Sequence, residues 1–495
     1  MDQGAVPDRL NAGLVSGALL TGLGIAILVF YLLVYVAHTV NLSAYPYDLD
    51  QGEAYDLNSG WLLQQGRPIY TSNAQFPYYS SNYPPVFSVI LSWIVGVTGP
   101  TLAAGRLLSA AAAMVTVILV ATIVGWRTRS GVAALAAGLL FGASTYVFHT
   151  TPLARVNALA VLFAVAGLAC CLGRGRIWSA GVVVFFLLAL YTKQTAVDAV
   201  GAGLLALLLR DWKHGFVVGL VVAFVGAIAL LAIDTVHEGA FWLNVVVGNV
   251  NPFDPVQASD YYRNFLEIHL VVVGLAGWHV ARTLRLKSAG PFELYWVFSL
   301  LLALSVGKWG AGESYFLAPI AASAVLAGHA VAELLRRSAV RPVLLPLLGG
   351  LLILQGFLYT HGPLYRLGPF FVDRGAQASV LSRWPGDAEI LAAADLIELL
   401  QKTDGPVLLE DPSYGLAIGK EIVGNATHLR NLYQAGVWSP DGLVADLRER
   451  RFAWVVLNAE LYPEPVLEAI GRYYYLYEEY EINGTRQQVF APGEQ

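Results

Sequence analysis

The chain has 495 residues, of which 56% are hydrophobic and only 13% charged, with a formal net charge of -5. A soluble domain is normally about one quarter charged, so this composition excludes an ordinary water-soluble fold, and the lack of a basic stripe excludes a nucleic-acid partner. The only two cysteines, Cys170 and Cys171, are adjacent in an apolar run, which excludes a disulfide framework or a cysteine metal site.

Long apolar runs recur from Leu10 to Thr360, and about 20 residues are enough to cross a bilayer core. The first run, 10–37, is too long for a signal-peptide core and reads as a retained helix. Spans are predicted at 13–37, 104–125, 131–149, 156–173, 178–192, 196–209, 215–233, 264–281, 292–307, 315–334 and 342–360. The segments 178–192 and 196–209 are short enough to be tilted, kinked or only partly crossing. The run 83–99 opens Asn82-Tyr83-Pro84-Pro85 and reads as a helix lying at the outer membrane edge. Charge orients the bundle. With the N-terminus inside, Arg127, Arg129, Arg174, Arg176, Arg282, Arg285, Lys287, Arg336 and Arg337 fall on cytoplasmic loops. The outer loops and their edges carry fewer basic residues and most of the carboxylates, as the positive-inside rule requires. An odd number of spans then places the C-terminus outside as well. The predicted class is an all-α polytopic membrane protein of about 11 spans carrying a small α/β domain.

Two stretches lie outside the membrane. The first outer loop, 38–102, contains an amphipathic helix at 55–65 that stops at Gly66. The tail, 361–495, shifts toward charge and divides the chain into a membrane domain, 1–360, and a soluble extracytoplasmic domain. In the tail, helices are predicted at 392–400, 441–450 and 463–473. Strands are predicted at 406–410 and 452–458, and a hairpin turns at Asn483-Gly484. It carries no glycine-rich phosphate loop and no nucleophile elbow, and support or acceptor recognition is its expected role. The sequon triplets at Asn425 and Asn483 arise often by chance.

The strongest chemical signal lies in the first outer loop, where Asp48, Asp50, Glu53 and Asp56 cluster directly after a membrane helix. A solvated acidic turn at a helix N-terminus accounts for such a cluster equally well on position alone. Five features in order add to it. They are the Asp50–Glu53 element and Gly66-Arg67-Pro68-Ile69-Tyr70, then Tyr83-Pro84-Pro85, Gly105-Arg106-Leu107-Leu108-Ser109, and Thr192-Lys193-Gln194-Thr195 between two short spans. In that order they resemble the GT-C superfamily of integral-membrane glycosyltransferases. The similarity is to the branch of protein O-mannosyltransferases and lipid A aminoarabinose transferases.

The resemblance implies transfer of a sugar from a polyprenyl-phosphate donor to a glycan, lipid or protein acceptor on the extracytoplasmic side. It makes Asp50 the general base or acceptor-orienting group, with Glu53 and Asp48 as alternatives. Lys193, Arg155 and Lys308 are the expected donor-phosphate ligands, since cations at the bilayer edge stabilise a departing phosphate. A lysine snorkelling to the interface is the plain alternative for Lys193, and a connecting turn for the Lys308–Tyr315 segment. Tyr83, Asn157 and Glu313 are the expected substrate-binding residues. Asn157 stands where many relatives carry an acid, so a second carboxylate would have to come from Glu313, Asp254 or Asp260. The loop 234–263, with Trp242, Phe253, Tyr261 and Tyr262, reads as a lid or an aromatic belt. No His-x-x-x-His spacing suggests a metal site. No cofactor is firmly implied, although a divalent ion held by Asp50 and Glu53 is the family's alternative to a base. A secondary transporter and a lipid-binding scaffold derived from a transferase are the rival readings, and few ionisable groups at span centres weaken the first.

Overall fold

The computed structural model describes residues 5–249, 251–286, 288–360 and 384–493; Lys287 and the start of the tail lie outside them. The membrane part is built from helices α1 (Ala5–Ala44), α2 (Glu53–Gln64), α3 (Val86–Thr98), α4 (Leu102–Thr128), α5 (Gly131–Gly142), α6 (Thr145–Thr150), α7 (Asn157–Cys171) and α8 (Arg176–Leu190). It continues with α9 (Val197–Arg210), α10 (Trp212–Val236), α11 (Ala240–Val245), α12 (Pro255–Ile268), α13 (Leu270–Arg285), α14 (Pro291–Ala303), α15 (Leu317–Ser338) and α16 (Leu344–Thr360). Apolar side chains on α10 face outward almost throughout, with Phe216, Leu220, Phe224, Ile228 and Leu231 exposed. In water that surface would be untenable; in a bilayer it is lipid-facing. α1 packs against α16 through glycines: a Cβ on Gly24 would lie 2.6 Å from Leu352 Cβ, and one on Gly349 2.5 Å from Leu20 Cβ. Small residues permit such close backbone approach between membrane helices.

Among the described residues, four helices are long and apolar enough to cross a membrane singly, and the bent pair α12–α13 brings the number to five. The remaining apolar helices run 10–17 residues, so helix length alone does not reach the predicted eleven spans. Two of the predicted spans are interrupted. The segment 131–149 breaks at Ala143 and Ser144 between α5 and α6. The segment 264–281 turns through 90° at His269. Polar caps explain the second break. Gln355 of α16 accepts the N–H groups of Val271 and Val272, both at 3.1 Å, and donates to Ile268 O at 2.7 Å. His269 Nε2 lies 2.8 Å from Ser144 Oγ. The first-turn amides of α13 have no intrahelical partner, and a buried amide left without one is expensive. Gln355→Leu is therefore expected to destabilise the fold by about 1–3 kcal/mol, read as earlier thermal unfolding in detergent; an unchanged transition would show that the break needs no cap.

The tail holds α17 (Asp387–Ala392), α18 (Ala394–Gln401), β1 (Val407–Leu409), α19 (Ser413–Ala417), α20 (Ala426–Gln434), α21 (Asp441–Arg448), β2 (Trp454–Leu457), α22 (Glu464–Tyr473), β3 (Tyr474–Ile482) and β4 (Thr485–Pro492). The sheet runs β1-β2-β4-β3, with β1 parallel to β2 and the other pairs antiparallel. Each predicted tail element is present; the 392–400 helix is α18, and α17, which ends just before it, is not in the sequence prediction. α19 and α20 are not in the sequence prediction. α20 starts at Asn425, whose side chain accepts the His428 N–H at 3.1 Å, so this sequon residue is a buried helix cap.

The tail lies directly on the segment between α1 and α4 and on the loop before α7. Tyr45, Tyr47, Leu49 and Leu153 share one apolar core with Leu396 and Val456, and Tyr78 shares another with Trp438.

Candidate functional site

The first outer loop is fixed from below by a buried ion pair. Arg106, in the first turns of α4, is 0% exposed, as is Glu53 at the start of α2. Arg106 Nε and Nη2 each lie 2.8 Å from a Glu53 oxygen. The same guanidinium donates to the carbonyls of Leu42 at 2.7 Å, Tyr45 at 2.5 Å and Tyr47 at 2.7 Å. Glu53 also accepts the N–H groups of Leu49 and Ala154, both at 2.8 Å. Burial alone would raise its carboxyl, but Arg106 and these donors hold it below the usual value. Both oxygens are committed. Glu53, predicted as an alternative base or metal ligand, is therefore the clasp of the loop.

Asp48 also serves the backbone. Its carboxylate accepts Ala54 N–H at 2.9 Å and Gly52 N–H at 3.3 Å. Burial and the neighbouring carboxylates Asp411 and Glu53 push it well above the usual range, so it is disfavoured as an ionised base. Asp50 remains: it is half-buried and its charge bears on Arg155, Asp56, Tyr83 and Tyr261.

Arg155, in the second outer loop, reaches across to the first. Nη1 donates to Gln51 O at 3.0 Å, Nη2 to Tyr83 Oη at 3.3 Å, and Nε lies 3.5 Å from Asp56 Oδ2. Gly52 makes room for it. This residue has φ 118°, and a Cβ there would sit 1.7 Å from Arg155 Nη1. Gly52→Ala should therefore strain the loop and displace the guanidinium, at about 1–3 kcal/mol; normal stability in that variant would contradict the placement of Arg155.

Lys193 lies in the turn between α8 and α9. It is 6% exposed, with Nζ 2.6 Å from Asn157 Oδ1 and 4.6 Å from the Tyr315 ring centroid. Burial, then Arg155, push its ammonium down to about 7. Asp56 is pushed up to about 7 by burial, against the pull of Arg155 and with help from Asp50. Asn157 thus holds the lysine where a carboxylate would have paired with it. Lys193, Asn157, Asp198, Tyr295, Ser299 and Tyr315 line a small cavity of about 30 Å³ between α7, α9, α14 and α15.

Two predicted residues sit elsewhere. Glu313 is 3% exposed and pairs with His149 Nδ1 at 2.9 Å. Lys308 enters the fold through its backbone, bridging Phe253 and accepting from Gln257 Nε2 at 2.9 Å, and it does not line the cavity. Of the aromatics in the long loop, Tyr261 is 4% exposed and belongs to the core, so it is not part of an interfacial belt. Among the described residues no group of three or more His, Cys, Asp or Glu side chains could hold a metal ion. With Glu53 committed to Arg106, the predicted Asp50–Glu53 pair does not fit one.

No protein-family model and no curated protein matches the chain. Solved structures do. ArnT from Cupriavidus metallidurans, a lipid A aminoarabinose transferase, bound to undecaprenyl phosphate is 13% identical with a TM-score of 0.59; the match covers 96% of this chain and 100% of that one. Its apo state gives 14% identity, 94% and 99% coverage, and a TM-score of 0.58. The apo oligosaccharyltransferase of Archaeoglobus fulgidus is 13% identical with a TM-score of 0.54, covering 95% of this chain and 74% of that one. The chain thus has the fold of ArnT and of this oligosaccharyltransferase.

Sequence reasoning names Asp50, Arg155 and Lys193; the structure sets Arg155 against Tyr83 and within electrostatic reach of Asp50 and Lys193, while Lys193 and Asn157 line the cavity. Three contributors escape that reasoning. Asp56 is in the acidic cluster but carries no distinguishing pattern. Arg106 is within the Gly105–Ser109 run and reads there as an ordinary loop charge. Gln51 is an uncharged neighbour of Asp50 with nothing to mark it.

Proposed function

We propose that the protein is a glycosyltransferase that moves a sugar from a polyprenyl-phosphate donor to an acceptor on the extracytoplasmic side. One observation carries this reading. Two cations, the half-buried Arg155 and the buried Lys193, stand within electrostatic reach of each other and of Asp56, and Lys193 lines a cavity among apolar helices. Buried ionisable groups at a membrane edge are costly and mark function. In the reaction the acceptor's hydroxyl or amine attacks the anomeric carbon and Asp50 takes its proton. The bond from that carbon to the phosphate oxygen breaks, and the electron pair leaves on the phosphate. Arg155 and Lys193 stabilise the charge that develops there. Asn157 orients Lys193 and has no base role. Asp56 holds Arg155. The similarity of fold to ArnT, which was solved with undecaprenyl phosphate, supports the same donor carrier here. The membrane domain then has its N-terminus in the cytoplasm and its tail outside. Membrane lipid surrounds the spans, and a glycan, lipid or protein is the acceptor.

The donor site is tested by binding of undecaprenyl phosphate to purified protein. Lys193 must be protonated to attract the phosphate, and its ammonium, held near 7, loses its proton as pH rises above that value. Asp56, also near 7, gains negative charge over the same interval, which works in the same direction. Affinity is expected to fall by up to about tenfold per unit between pH 7 and 9, and Lys193→Gln to weaken binding at pH 6 and flatten the profile. A wild-type affinity independent of pH, or an unchanged profile in Lys193→Gln, would remove Lys193 from the phosphate site.

A further inference from the structure

We infer that the tail is a working part of the site, with Gln51 and Glu410 as residues that position the first outer loop; this rests on the roles of Asp50 and Arg155 proposed above. Glu410, directly after β1, is 0% exposed. Its carboxylate accepts the N–H groups of Asn458 at 2.7 Å, Ala459 at 2.9 Å, Glu460 at 3.1 Å, and Leu461. Its own N–H donates to Val456 O at 3.0 Å. Charge-assisted bonds of this kind are among the stronger ones in proteins, so the main chain at Glu410 is held firmly to the end of β2.

The carbonyl fixed in this way faces the membrane domain. It accepts Gln51 Nε2 and Tyr55 Oη, each at 3.4 Å. The start of α20 holds the same two residues from the other side. Thr427 Oγ1 donates to Gln51 Oε1 at 3.1 Å, and Ala426 N–H donates to Tyr55 Oη at 3.4 Å. Gln51 in turn follows Asp50 directly and supplies the carbonyl that receives Arg155 Nη1 at 3.0 Å. A continuous path therefore runs from the tail through one glutamine to the proposed base and to the proposed phosphate ligand. Each contact is modest, but together they leave the Asp50–Gln51 segment no slack. A displacement of about 1 Å at a reacting group can lower a rate by about 10².

The arrangement assigns the polar contacts a task that apolar packing does not perform. The shared cores seat the tail on the membrane domain, whereas Gln51 sets where its neighbours point. If packing alone were sufficient, removing these hydrogen bonds would change nothing at the loop.

The test uses the full chain in nanodiscs with the variants Thr427→Val, Gln51→Ala, Glu410→Gln and the double variant Gln51→Ala/Thr427→Val. Hydrogen exchange across residues 48–56 and the kinetics of polyprenyl-phosphate release are read together. The expected result is faster exchange at 48–56 and a kcat lowered about tenfold or more, with a smaller rise in donor KM because Arg155 rests on Gln51. The double variant should be no worse than Gln51→Ala alone, because Gln51→Ala already removes the one contact that Thr427→Val removes. Thr427→Val keeps the shape of the side chain, so its outcome does not depend on whether Glu410→Gln folds. Unchanged exchange at 48–56 overturns the inference, as does faster exchange with an unaltered kcat. A wild-type protein that releases no polyprenyl phosphate would instead sink the transferase reading, and the exchange data would still decide whether the tail holds the loop.

Discussion

Asp50→Asn is expected to lower the rate of sugar transfer by about 10²–10⁴-fold while leaving undecaprenyl phosphate binding close to wild type. The amide keeps the size and hydrogen-bonding capacity of the side chain but cannot take the acceptor's proton. The donor phosphate is assigned to Arg155 and Lys193, so binding of the lipid should persist. Asp56 provides the internal comparison. Its carboxyl is 5% exposed, lies 3.5 Å from Arg155 Nε and is pushed up to about 7 by burial. Asp56→Asn should therefore act mainly through Arg155, weakening phosphate binding more than it slows turnover. The reverse pattern, with Asp56→Asn abolishing transfer and Asp50→Asn leaving it intact, would exchange the two roles.

Arg106→Ala is expected to produce the largest loss of stability in the chain. It would leave the fully buried Glu53 carboxylate without its counterion and the carbonyls of Leu42, Tyr45 and Tyr47 without their donor. Breaking a buried pair by removing one partner costs about 3–5 kcal/mol, a large share of the margin of a typical fold. Arg106→Lys keeps the charge but cannot reproduce the fork that meets both Glu53 oxygens, so it should fall between wild type and Arg106→Ala. The double variant Arg106→Met/Glu53→Gln should lose less stability than Arg106→Ala, because the uncompensated charge is gone. Unfolding of detergent-solubilised protein measures all three. Equal stability of Arg106→Ala and wild type would show that the loop is held by packing alone.

The membrane architecture was legible because its signal is local. Runs such as 215–233 announce themselves by composition, and the tail's strands and helices by short-range pattern and turn residues. The hairpin at Asn483-Gly484 is a case in point, with β3 and β4 meeting at Ile482 and Thr485. The right-angle turn at His269 was not legible, since the residues that stabilise it come from α16 and from Ser144, far away in sequence. The candidate site divides along the same line. Carboxylates next to a membrane helix, and a lysine between two short spans, can be noticed in the sequence. That Glu53 and Asp48 are committed depends on Arg106 lying under Glu53 and on Asp411 lying beside Asp48. Those neighbours come from other elements, and no spacing within the loop separates Asp48, Asp50 and Glu53. The contact between Gln51 and Glu410 spans 359 positions and leaves no trace in either local pattern.

The measurement that bears most directly on this account is a transfer assay on purified protein. A panel of polyprenyl-phosphate sugars is incubated with membrane extract as the source of acceptor, and release of polyprenyl phosphate is followed for wild type and Asp50→Asn. The account predicts release from at least one donor with the wild type and almost none with the variant, although both bind the lipid phosphate. No release from any donor by a folded, lipid-binding wild-type protein would contradict it.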